Sequence, residues 1–122
     1  MAREISVTSG LQVSNGTSSR PNNQRTISVD QAAVGVGEST VAVTSTDTSV
    51  TLPLTTPGWC QLRNIGSTVV KWGPDNGSGA IAVAGEISPG CDAQFELPAG
   101  ATTIRVKTAS GTSTLAVLVL RK

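Results

Sequence analysis

Apolar residues recur at every second position through most of this chain, which is the period of a strand with one face buried and one in water. Ile27 and Val29 alternate with Thr26 and Ser28, Ala93, Phe95 and Leu97 with Gln94 and Glu96, and Ile104 and Val106 with Arg105 and Lys107. One stretch departs from the rule. In residues 113–120, Leu115, Val117 and Val119 fall on one face of a strand while Ala116, Leu118 and Leu120 fall on the other. The run is too short to span a bilayer, and its β-branched content favours a strand over a helix. Both of its faces therefore need cover. One can come from a sheet-on-sheet core; the other has to come from the N-terminal arm or from another subunit. That makes Leu115, Val117, Leu118 and Leu120, with Ile5 and Val7 in the arm, the candidate subunit interface.

Turn chemistry divides the rest. Residues 1–23 are poor in apolar side chains and rich in Ser, Gly and Asn, so they are expected to form an extended arm ordered by a neighbour, with the sandwich domain running from 24 to 122. Strands are expected around Ile27, Val41, Val50, Leu62, Val70, Val83, Phe95, Ile104 and Val117. Pro53 confines its segment to a sheet edge or ends it. A bulge or turn is expected at Asn64, followed by a hairpin return through Val70 and Trp72. The loop Asp75-Asn76-Gly77-Ser78-Gly79 lacks the closing acid of a calcium site and is expected to be flexible. No segment has the three-four spacing of an amphipathic helix. Eight to ten short strands with short connections predict an all-β, antiparallel two-sheet sandwich, jelly-roll-like, with an immunoglobulin-like sandwich as the alternative.

Composition narrows function mainly by exclusion. The chain has 122 residues, enough for one core without metal or disulfide help. Nine basic and eight acidic side chains leave it close to neutral, with no basic field for nucleic acid. Histidine is absent, so Ser-His-acid and Cys-His nucleophile sets cannot be built from this chain. The eight carboxylates are scattered, and no Cys-x-x-Cys pair exists to begin a thiolate zinc site. No cofactor, metal, nucleic-acid or membrane partner is expected, nor enzymatic activity. The N-terminus lacks an apolar core long enough for a secretory signal, so synthesis without export is the expectation. Cys60 and Cys91 are read as buried free thiols, with a bridge between them as the alternative. Trp72 shares its phase with Val70 and is expected in the core. Trp59 is the candidate exposed aromatic, for which a sugar-stacking role is the competing reading.

The segment Thr55-Thr56-Pro57-Gly58-Trp59-Cys60-Gln61-Leu62-Arg63-Asn64 resembles a group of small β-sandwich virion proteins of tailed bacteriophages. The likeness continues through Val69-Val70-Lys71-Trp72-Gly73-Pro74, the Ile87-Ser88-Pro89-Gly90 turn and the Phe95-Glu96-Leu97-Pro98-Ala99-Gly100 step, covering about residues 55–120. Cys91 stands where such chains more often carry an acid. The resemblance implies a non-enzymatic structural protein, most simply a capsid decoration or cement protein made in the host cytoplasm and carried on the virion. Its implied partners are further copies of itself, with a trimer favoured, and the major capsid protein or neighbouring virion proteins. A tail, collar or connector component, or a carbohydrate-binding module, is the alternative.

Overall fold

The structure, a computed structural model, describes residues 5–9, 13–14, 19–20, 25–29, 35–55 and 57–121, and among them there is no helix. The chain divides into two compact units, Met1–Ala32 and Ala33–Lys122. All strand pairs are antiparallel.

In the first unit β1 (Ile5–Ser9) pairs with β4 (Arg25–Val29), and β2 (Val13–Ser14) pairs with β3 (Ser19–Arg20) inside the connection between them. Residues 25–29, expected with the sandwich, are thus the partner of β1. Ile5 lies opposite Val29 and Val7 opposite Ile27 in the ladder. Ile5 is buried and Val7 half-buried, whereas Ile27, expected to face inward, is 49% exposed. Of the expected arm, residues 1–4, 10–12, 15–18 and 21–23 lie outside the described residues.

Among the described residues the second unit contains eight strands: β5 (Val36–Val43), β6 (Thr48–Thr51), β7 (Pro57–Asn64), β8 (Val70–Gly73), β9 (Gly85–Ile87), β10 (Asp92–Glu96), β11 (Thr103–Thr108) and β12 (Ser113–Arg121). They form two four-stranded sheets, ordered β10-β7-β12-β5 and β6-β11-β8-β9. Val43, Cys60, Leu62, Leu115, Val117 and Val119 of one sheet and Val50, Val70, Ile87, Ile104 and Val106 of the other merge into a single buried cluster, giving a β-sandwich-like arrangement. Full burial of each aliphatic side chain stabilises the fold by about 1.5–3 kcal/mol before entropy is counted.

Local chemistry explains where the strands begin and end. β6 is an edge strand that stops before Pro53, which has no N–H for a ladder. Strand β5 starts earlier than Val41, at Val36, and runs through Gly37, a residue that would ordinarily weaken a strand. Gly37 is needed there because a Cβ would collide with the Pro53 carbonyl oxygen packed against it. Segment 81–84, expected as a strand, is instead an extended stretch tied back by Ala82 N–H to Pro74 O (2.8 Å) and Ala84 N–H to Trp72 O (2.8 Å).

The expected hairpin of β7 and β8 is not one: the two strands belong to different sheets. Asn64, the last residue of β7 and fully buried, makes the corner. Its Nδ2 donates to Thr68 O (2.7 Å) and Ile87 O (2.8 Å), while its Oδ1 accepts from Gly66 N–H (3.1 Å) and Ser113 Oγ (2.7 Å). One amide thereby holds the turn, reaches β9 of the opposite sheet and binds the first residue of β12. All of its side-chain capacity is used, which is what a buried amide requires.

Candidate interaction face

Alternation along β12 sorts the apolar run sharply. Ser113, Leu115, Val117 and Val119 are buried in the core, and Thr114, Ala116, Leu118 and Leu120 are half-buried on the outside. Leu115 and Val117 are therefore consumed by the chain's own core and cannot reach another subunit. Leu118 and Leu120 remain available. Their strand is central, flanked by β7 and β5, so strand pairing places a whole face around them.

The ladders define that face in three rows. Val36, Leu120, Trp59 and Glu96 form one; Glu38, Leu118, Gln61 and Gln94 the next; Thr40, Ala116, Arg63 and Asp92 the third. The centre is apolar and the flanks are polar. Val36 is 61% exposed. On one flank Asp92 Oδ2 accepts hydrogen bonds from Gln61 Nε2 and Gln94 Nε2, both 3.0 Å. The small side chain of Ala116 leaves a depression of about 430 Å³ between Glu38, Thr40, Gln61 and Arg63. Trp59 is half-buried, and its Nε1 is shielded without a hydrogen-bond partner.

The outer face of the other sheet is of a different kind. Arg105 projects from β11 and binds Asp47 Oδ1 through Nη1 (2.9 Å) and Asp75 Oδ2 through Nε (2.8 Å). Asp47 Oδ2 accepts the Ile81 N–H (2.7 Å), and Asp75 Oδ1 accepts the Gly77 (2.7 Å) and Gly79 (3.2 Å) N–H groups. The loop expected to be loose is thus a hydrogen-bonded ring clamped to β11. It crosses so close to Gly73 that a Cβ there would collide with the Ala82 carbonyl oxygen. Arg105 and the loop amides hold the Asp75 carboxyl below its ordinary 3.8. For Asp47, burial pushes upward, but the Ile81 amide, Arg105 and Lys107 outweigh it and the carboxyl also lies low. These groups do structural work, tying the β5–β6 and β8–β9 connections to β11.

Trp72 stacks on Phe95 across the sandwich, with centroids 4.4 Å apart and planes 8° from parallel, so one face of that indole is occupied. Both cysteines are free, Cys60 buried and Cys91 exposed. Cys91 follows the turn that leads into β10 and its carbonyl accepts the Asn64 N–H (3.0 Å), four residues along β7 from Cys60. At about 3.3 Å per residue that separation is roughly 13 Å, beyond the reach of a disulfide. Desolvation pushes the Cys60 thiol up to about 12. No group of three or more His, Cys, Asp or Glu side chains suited to a metal ion occurs among the described residues.

Set against protein-family models, curated proteins and solved structures, the chain matches none. What the interaction face adds to the sequence reading is its breadth: Trp59, Val36, Glu38 and Arg63 come from strands far apart in the chain, and only the ladder register brings them beside Leu118 and Leu120.

Proposed function

We propose that this protein is a non-enzymatic structural component of a tailed-phage virion, a decoration or cement protein that binds the head shell and stabilises it through contacts between copies. The observation that carries this reading is the half-buried apolar cluster Leu118, Leu120 and Trp59 on the outer face of the β10-β7-β12-β5 sheet. Burial of a further 100 Å² there at about 25 cal/mol per Å² contributes roughly 2.5 kcal/mol per copy. Repetition over a shell multiplies that gain through avidity.

Strand order supports it as well. Counted one to eight from β5, the sheets run 6-3-8-1 and 2-7-4-5. We read this as a jelly roll, two interlocked Greek keys, an architecture common to viral capsid domains and lectins. The deeply buried Asn64 corner and the Arg105 clamp suit a part that must hold its shape.

The test is co-sedimentation of the purified chain with preformed phage heads lacking their decoration proteins, followed by cryo-electron microscopy of the loaded particle. Saturable binding at symmetry-related positions is the expected result. Heads that remain bare at saturating protein, together with a positive glycan-array signal, would overturn the reading in favour of a sugar-binding domain.

A further inference from the structure

We propose that the outer face of the β10-β7-β12-β5 sheet docks onto the same face of a second copy of this chain, with Glu38 of each copy pairing with Arg63 of the other across the apolar centre. This sharpens the self-association part of the proposed function and does not rest on the capsid part.

The argument begins with charge. Glu38 and Arg63 are exposed, flank the Ala116 depression on opposite sides, and neither makes an ion pair among the described residues. They stand on β5 and β7, on either side of β12, about 9.6 Å apart across the sheet and one row apart along it. Leu118 and Ala116 lie between them. Of the other charged side chains near this surface, Asp92 holds two amides and Arg121 binds Thr55.

Geometry then selects the partner. Turning a sheet face over exchanges its flanks, so in a face-to-face pair with roughly aligned strands β7 of one copy lies above β5 of the other. Arg63 then comes within side-chain reach of Glu38, twice, by the two-fold symmetry of the pair. Leu118 and Leu120 meet their counterparts in the middle and Val36 of each copy meets Trp59 of the other, an apolar centre with a charged rim. In that alignment β10 overhangs, and the three overlapping strands, about 4.8 Å apart with nine residues at about 3.3 Å, give a face near 430 Å², or about 860 Å² for the pair, in the range of weak, transient interfaces. Association of modest affinity is the consequence, with the rim charges setting its register and salt dependence.

Sedimentation velocity of the full chain at about 100 μM tests this. The native protein should sediment as a dimer that dissociates as salt is raised. Glu38→Arg and Arg63→Glu should each weaken association roughly tenfold or more, and the double reversal should restore it to within about threefold. Both side chains are exposed, so thermal melts of the variants should match the native chain and separate loss of contact from loss of fold. A native monomer at this concentration, a trimer, or single reversals that the double variant fails to rescue would overturn the proposal. Head binding is measured independently, so its success or failure leaves this result standing.

Discussion

Asn64 shows how much one side chain can decide. Its four hydrogen bonds link the β7 corner, β9 and β12, and truncation strands several buried donors and acceptors at once. Asn64→Ala should cost about 3–5 kcal/mol in urea unfolding, and Asn64→Asp should be no better, because a carboxylate cannot donate to the Thr68 and Ile87 carbonyls. A loss under 1 kcal/mol would show that the corner holds without the amide. The two thiols give a second check at this scale. Cys91 should react with a thiol reagent at neutral pH, while Cys60, buried and with its thiol pushed up to about 12, should react only on unfolding. Equal rates for both would place Cys60 outside the core. The role of Asn64 was only partly legible in the sequence. Its position at the end of an alternating strand predicts a break, but besides Gly66 and Thr68 in its own turn its partners are 23 and 49 residues away, and no local pattern announces those.

Among the elements, the clamped loop between β8 and β9 responds to pH with a definite sign. Asp47 and Asp75 are held below their ordinary 3.8, so the stability they contribute is complete above that value and is lost as pH falls through their lowered folded values. Arg105 is shifted the other way by its two carboxylate partners and stays charged throughout. The melting temperature should therefore hold through the neutral range and drop below about pH 4, and Arg105→Gln should flatten that acid limb. An unchanged acid limb in the variant would assign the pH response to other carboxylates. Gly73→Val should disturb the same element, since the loop passes directly over Gly73. A proton-exchange measurement should show the amides of Gly77, Gly79 and Ile81 losing protection in that variant. Turn composition foretold a loop here; the clamp depends on Arg105, which is 30 residues from Asp75 and 58 from Asp47.

The whole chain comprises two units of unequal size, and the larger one, Ala33–Lys122, has its own core. A fragment covering residues 33–122 should fold by itself and melt in one cooperative transition by calorimetry. A fragment lacking fixed tertiary structure would show that the first 32 residues are required for the sandwich. The β12 strand is the element on which its two sheets converge, since one face supplies Leu115, Val117 and Val119 to the core and the other presents Leu118 and Leu120 outward. Leu118→Lys should leave the melting temperature within a few degrees of the native value yet abolish association in sedimentation, whereas Leu115→Ala should cost about 2–5 kcal/mol of stability. If the two substitutions behaved alike, the division of β12 into a core face and a docking face would fail.

Alternation and turn residues are local properties, written within spans of two to eight residues, and by themselves they determined an all-β chain with most of these strands. Absent histidine also settled, without any fold, that nucleophile sets needing histidine cannot be built from this chain. Pairing is different. Which sheet a strand joins, and therefore that β7 and β8 part at Asn64, follows from loop closure and core packing among residues dozens of positions apart. The same physics decided that Leu115 and Val117 are spent on the core, that Cys60 and Cys91 lie too far apart to bridge, and that Glu38 and Arg63 flank the depression over Ala116. Side-chain direction in a strand is a two-fold choice that sequence can state, but which side becomes the interior is chosen only when the second sheet arrives to cover it.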